Sequence, residues 1–255
     1  MREEPEARVA LEARQLTRSF GEHYALIDLS AQWRESEVCA LLGPNGSGKS
    51  TLLNLLSTLM SPSEGALWFE GREVTRKTVA SLRAQIGFVG HATMIYGALT
   101  ALENLRFFTE LYQAWPSSVT GRGQALEEAR EAWLLERLEQ VGLREFARRP
   151  ASGFSRGMAQ RLTLARALLP SPKILLLDEP FTGLDREGMS DICDLIEAER
   201  DRGATVILSS HDFETTGRLA DRLLVLKRGR LKAFEPITER GSASLLDHYQ
   251  RSLNL

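Results

Sequence analysis

The stretch Gly43-Pro44-Asn45-Gly46-Ser47-Gly48-Lys49-Ser50-Thr51 constrains the fold more than any other part of this 255-residue sequence. It fits GxxxxGK[ST], directly after the apolar run Val38–Leu42 and directly before a helical run over residues 52–60. Such a loop works between a strand and a helix. Its glycines let backbone N–H groups turn toward phosphate oxygens without a Cβ clash, and the helix N-terminus adds favourable partial charge. Lys49 is then placed to neutralise the β- and γ-phosphates, and Ser50 to ligate Mg²⁺. Nucleotide binding follows from this loop; what the nucleotide does must be read elsewhere.

The surrounding pattern agrees with a nucleotide-binding α/β core. Residues 38–42, 174–177, 205–208 and 223–226 are continuous apolar runs, as expected of parallel strands covered on both faces. Around residues 9–33 and 66–74 the period is shorter, with Gly and polar punctuation, which predicts antiparallel strands attached beside the core. Residues 100–153 are mostly helical, with Leu134, Leu138 and Val141 at helical spacing, Gly142 as a stop, and a loop-forming break over residues 114–123. The tail beyond Arg230 is too short for a further domain.

Two more strand ends carry chemistry. Ile174-Leu175-Leu176-Leu177 delivers Asp178 and Glu179, the first suited to hold Mg²⁺ and the second to polarise an attacking water; Pro180 is expected to end that strand. Thr205-Val206-Ile207-Leu208 delivers His211, suited to a sensor or hydrogen-bonding role near a γ-phosphate. A second phosphate-grasping helix start is offered by Phe154-Ser155-Arg156-Gly157-Met158, where Ser155 can cap the helix that follows. Both helix starts serve one nucleotide only if another copy supplies the second.

Charge and composition exclude other classes. With 32 Lys+Arg against 34 Asp+Glu the net charge is −2, which argues against nucleic acid as a partner. No apolar run approaches the roughly eighteen residues that span a bilayer. Met1-Arg2-Glu3-Glu4-Pro5-Glu6 lacks the apolar stretch of a secretory leader. Cys39 and Cys193 are isolated, so neither a disulfide framework nor a zinc site is expected.

Taken together, these motifs resemble the nucleotide-binding subunit of ATP-binding cassette (ABC) transporters over essentially the whole chain. Gly43–Thr51 is similar to Walker A, Leu176–Glu179 to Walker B, Phe154–Met158 to the LSGGQ signature, Phe181–Asp185 to the D-loop, and His211 to the switch histidine. The resemblance implies a P-loop NTPase (RecA-like) α/β core with an antiparallel β subdomain and an α-helical signature subdomain. It implies a single domain over 1–255, with the core and β subdomain at about 1–91 and 165–235, the helical subdomain at 92–164 and a short tail at 236–255. It further implies ATP and Mg²⁺, catalytic roles for Glu179, His211 and Lys49, and Phe20 as the aromatic that stacks on adenine. Ser155 and Gly157 would grip the ATP of a second ATP-binding subunit in a homodimer or heterodimer, and Asp185 would link the two sites. The partner would be a separate transmembrane permease, with the chain peripheral on the cytoplasmic face of the membrane.

Two departures stand out. The signature carries Arg156 where Gly is usual and Met158 where Gln is usual. Within Gly90-His91-Ala92-Thr93-Met94-Ile95-Tyr96, Ala92 occupies the place of the Q-loop glutamine, with His91 beside it. Alanine ligates no metal, so that role is lost or passes to His91. Of Met94, Ile95 and Tyr96, some are expected to pack and at least one to face a membrane subunit's short helix. Gly90-His91 and the run Leu99–Phe108 resemble the ATP-binding subunits of haem exporters in cytochrome c biogenesis. The signature itself is shared with exporters of drugs, lipids or polysaccharides, and a soluble non-transport ATPase is the reading from another class.

Overall fold

The computed structural model describes residues 8–254, so the segment Met1–Glu6 read above lies outside the described residues. In chain order, β1 (Val9–Phe20) and β2 (His23–Arg34) form a hairpin, then β3 (Val38–Leu42) leads through the Gly43–Gly48 loop into α1 (Lys49–Leu56). Next come β4 (Glu64–Phe69), β5 (Arg72–Glu73), α2 (Val79–Arg83) and β6 (Ile86–Val89). Three helices follow, α3 (Ala101–Tyr112), α4 (Gln124–Gln140) and α5 (Arg156–Leu168). The chain then alternates β7 (Ile174–Asp178), α6 (Arg186–Asp201), β8 (Thr205–Ser209), α7 (Phe213–Leu219), β9 (Arg222–Lys227) and β10 (Arg230–Pro236), and finishes in α8 (Ser242–Asn254).

The strands form a six-stranded sheet of order β10-β9-β3-β8-β7-β6 and a four-stranded sheet of order β2-β1-β4-β5. All neighbours in the larger sheet are parallel except β9 and β10. The continuous apolar runs follow from its two covered faces. Leu41, Leu176, Ile207 and Leu224 pack toward the small sheet and α1, where Trp33, Leu52 and Leu56 meet them. Leu175, Leu177, Val206 and Leu208 point the other way, onto Leu164 and Leu168 of α5 and Ile192 and Ile196 of α6. One residue of slip in β7 would therefore exchange one apolar face for another, so register depends on side-chain shape and on the strand ends.

A separate core joins the helices. Leu105 and Phe108 of α3, Leu134 and Leu138 of α4, and Leu162 and Leu169 at α5 pack together. Thr100 starts α3 in a capping box with Glu103, and Gly142 follows α4 with a left-handed φ of 68°, as the sequence predicts for a stop.

Some local expectations are corrected. Strand β6 was not foreseen; it is only four residues long and includes Gly87. Pro180 does not end β7, because Glu179 already leaves the strand with φ 54°. Helix α1 stops at Leu56 rather than running to residue 60, with Thr58 at φ 62° just beyond. Much of the short tail is ordered: Leu245 of α8 packs with Ile237 and with Leu223 and Val225 of β9.

Candidate functional site

The Gly43–Gly48 loop leaves β3 and is held from outside. Gly229 N–H donates to the Ser47 carbonyl at 3.0 Å. Gly43 sits at φ 153°, and a Cβ there would lie 2.3 Å from the Leu226 carbonyl oxygen. Gly48 is left-handed at φ 107° and is the N-cap of α1, with no side chain capping the helix. The free N–H groups at that end therefore have no side-chain acceptor of their own, as an anion site requires. Pro44, Asn45 and Gly46 are exposed, whereas Ser47 and Lys49 are buried. Ser50 is exposed on the first turn of α1, and Thr51 follows it half-buried.

Lys49 Nζ donates to the Gly43 carbonyl at 2.7 Å. Burial pushes its ammonium below the ordinary lysine range, against the pull of Glu179 and Asp178. A desolvated cation bonded only to carbonyl oxygens is well suited to exchange them for phosphate oxygens.

Asp178 and Glu179 stand opposite, fixed by a residue that sequence reasoning passed over. Ser209, at the end of β8, pairs in register with Asp178. Its hydroxyl donates to Asp178 Oδ1 at 2.6 Å and accepts from the Glu179 N–H at 3.1 Å. The signal was the Ser directly after the apolar run 205–208, legible only once the strand pairing is known.

Glu179 Oε1 is buried and has no aligned hydrogen-bond donor, although His211 Nε2 lies 3.3 Å away. Burial raises the Glu179 pKa above the usual carboxylate range, and neighbouring Asp178 raises it further, whereas His211 and Lys49 pull it down. A carboxylate with an unused oxygen and raised basicity is what water activation needs. The His211 side chain is 61% exposed and so remains open to a further contact.

The structure thus groups Lys49, Asp178, Glu179 and His211. Ser155 and Gly157 stand on another element, the start of α5. Ser155 is the N-cap of α5, its hydroxyl accepting from the Met158 N–H at 3.2 Å. Gly157 faces the D-loop, where a Cβ would come within 2.8 Å of the Gly183 carbonyl oxygen. The Arg156 stem lies over Gly183, and Asp185 caps α6 by accepting from Gly188 N–H at 2.9 Å. Within the described residues no hydrogen bond or ion pair joins Ser155 or Gly157 to the Gly43–Thr51 loop. Phe20 ends β1 and is 47% exposed.

The loop between β6 and α3 is pinned by buried polar groups also missed in the sequence. Thr163 donates to the Thr93 carbonyl at 3.1 Å, and Arg166 to those of Phe88 and Met94. Asn104, 1% exposed, accepts from the Tyr96 N–H at 2.8 Å and returns a bond to its carbonyl at 3.0 Å. Met94 and Tyr96 are exposed, the Tyr96 ring against Phe107 and Phe108, and Ile95 packs in the helical core. His91 and Ala92 are both exposed. Met94 also borders a cleft of about 570 Å³ with Leu59, Leu111, Tyr112 and Arg166. The two cysteines are free and buried, and burial raises the Cys39 thiol strongly and the Cys193 thiol to about 11.

Comparison with known proteins gives the family and the fold. A family model described as ABC transporter matches residues 26–182. The lantibiotic transport ATP-binding protein SrtF of Streptococcus pyogenes is 33% identical over 221 residues, covering 87% of this chain and 88% of the relative. The daunorubicin resistance ATP-binding protein DrrA3 of Streptomyces coeruleorubidus is 35% identical over 214 residues, covering 84% of this chain and 64% of the relative. Among solved structures, a dimeric post-hydrolysis state of the ATP-binding cassette MJ0796 bound to ADP and Pi superposes with a TM-score of 0.77. Its identity is 30%, over 89% of this chain and 98% of that one. The chain belongs to the ABC transporter family of ATP-binding proteins, and its fold is the P-loop ATPase fold with an attached antiparallel sheet and helical region.

Proposed function

We propose that this chain is the ATP-binding and ATP-hydrolysing subunit of a transporter, a single ATPase domain whose helical subdomain spans about 92–164. Two copies, or this chain and a relative, close head-to-tail around two ATP molecules and drive a separate membrane permease. The observation that carries the reading is the convergence of Lys49, Asp178, Glu179 and His211, while Ser155 and Gly157 begin a different helix that leans on Gly183. Half of each composite site is thereby left for a second subunit. Among the described residues no helix is long and apolar enough to cross a membrane. The chain is placed on the cytoplasmic face through its partner.

The residues present fit ATP and Mg²⁺. Ser47 Oγ is buried without a partner inside the loop, and the space at Gly43 and Gly48 admits no Cβ. Ser50 and Asp178 are the residues that would hold Mg²⁺, which supplies positive charge to the phosphates when bound. Lys49 exchanges its carbonyl acceptors for phosphate oxygens. The Gly43–Gly48 N–H groups orient the triphosphate, and Phe20 stacks on adenine. Glu179 accepts a proton from the attacking water, and His211 supports the γ-phosphate. Closure is driven by differential affinity, because ADP lacks the γ-phosphate that Ser155 and Gly157 of the other subunit grip.

On cargo, the names of the relatives in lantibiotic transport and daunorubicin resistance favour an antibiotic-like molecule. Haem export rests on Gly90-His91 and the run Leu99–Phe108 alone. The cleft bordered by Met94 receives the permease's short helix, and His91 takes the role that Ala92 lacks. Glu179→Gln tests the core of the reading: it should bind ATP, hydrolyse it at least a hundredfold more slowly, and accumulate as a dimer in size-exclusion chromatography. Full ATPase activity in that variant would sink the assignment. Affinity capture from membranes then identifies the permease. His91→Ala should reduce the coupled rate, and an unchanged rate removes His91 from the mechanism.

A further inference from the structure

Arg18 and Phe20 are two apart at the end of β1, and their side chains meet. Pairing with β2 is irregular on both sides of Arg18, which adds local twist beside the Gly21 turn. The guanidinium carbon lies 4.7 Å from the centre of the Phe20 ring. Nη1 donates to the Ser61 carbonyl at 3.0 Å, and Nε is buried with no hydrogen-bond partner. Within the described residues Arg18 makes no ion pair. Its charge is directed at one ring and one carbonyl.

We infer that Arg18 is a positioning residue for base recognition: its guanidinium, tethered to Ser61, holds the rear face of Phe20 so that the front face is presented to a purine. An aromatic side chain at an exposed hairpin corner would otherwise hop among rotamers. Ordering that ring before the nucleotide arrives lowers the entropy lost on stacking. A cation over one face leaves only the other for a ligand, and every nucleobase offers a π-face to it. Arg18 therefore acts on affinity for the base and leaves phosphate transfer untouched. The inference rests on the reading that Phe20 stacks on adenine.

The test compares Arg18→Gln with the unaltered full chain, using ATP and, as a base-free probe, inorganic triphosphate. The ATP dissociation constant and KM should rise about threefold, with kcat held. The inhibition constant of inorganic triphosphate should not move, and Arg18→Lys should recover most of the affinity. In a Phe20→Ala background, adding Arg18→Gln should change nothing further. An equal loss for inorganic triphosphate would mean that Arg18 touches phosphate, and overturns the inference; so does a fall in kcat at constant KM, or an additive loss in the double variant. If Phe20→Ala leaves ATP affinity intact, the stacking reading fails first and takes the inference with it. If Phe20→Ala weakens ATP but Arg18→Gln is silent, only the role of Arg18 fails.

Discussion

Two helices of this chain begin at sites suited to phosphate, and they are built in opposite ways. Helix α1 has the left-handed Gly48 as its cap and no side chain on its N–H groups, with Lys49 buried against the Gly43 carbonyl. Helix α5 is capped by Ser155, and its first residues, Arg156 and Gly157, lie against Gly183 of the D-loop. The first is a complete cradle inside one subunit. The second is an exposed helix start whose first N–H groups are partly taken by its own Ser155 and whose neighbours are fixed by Gly183. On the proposed head-to-tail reading the difference divides the site: the buried cradle belongs to one copy, and the exposed helix start meets the nucleotide of the other.

The same substitution in the loop that leads to α1 and at the start of α5 should break this contrast most sharply. Gly43→Ala places a Cβ 2.3 Å from a backbone carbonyl oxygen. Strain and overpacking of about 2–5 kcal/mol are expected, with ATP binding lost and the melting temperature lowered. Gly157→Ala meets the Gly183 carbonyl oxygen at 2.8 Å and shifts the α5 start against the D-loop. ATP binding by the monomer should survive there, while kcat falls roughly tenfold to a hundredfold, on the scale of a misplaced catalytic contact. If Gly157→Ala weakens monomeric ATP binding as Gly43→Ala does, the two ends are not separate halves.

A subtler distinction is chemical. Burial holds Glu179 above the usual carboxylate range, and the His211 charge opposes that rise. The base must be ionised to work, so kcat should fall on the acid side at a pH above the ordinary glutamate value of about 4.3. His211→Ala removes the opposing charge and should move that limb to higher pH. Stability follows the opposite sense. A carboxyl with a raised pKa favours the fold when protonated, and its buried charge weakens the fold as pH rises through the folded pKa. Glu179→Gln should therefore raise the melting temperature at neutral pH, and the gain should vanish in acid.

The two halves were also unequally legible in the sequence. Gly43–Thr51 could be read directly, because glycine spacing and a lysine state the geometry they need. The buried runs before Asp178 and His211 were equally plain, since a sheet covered on both faces demands continuous apolar strands. What escaped were groups whose meaning depends on strand pairing or on distant chain. Ser209 matters only because β7 and β8 place it beside Asp178, and Asn104 and Arg166 only because the loop before α3 turns back onto them. Strand β6 escaped for a related reason: at four residues, with Gly87 inside, its identity comes from pairing with β7.

The finest test separates the two tasks assigned to Ser155. As a cap, its hydroxyl accepts from Met158 N–H, and loss to Ala costs about 1 kcal/mol, whereas Gly at the same position costs only a few tenths. Thermal unfolding should rank Ser155→Gly close to the unaltered chain and Ser155→Ala below it. If capping is the whole task, ATPase activity follows that ranking. If the hydroxyl also meets the nucleotide held by the other subunit, both variants lose activity equally, because both lack the oxygen, whatever their stability. Unequal activities that track melting temperature would confine Ser155 to its own helix. The exposed half of the site would then rest on Gly157 and the backbone N–H groups beside it.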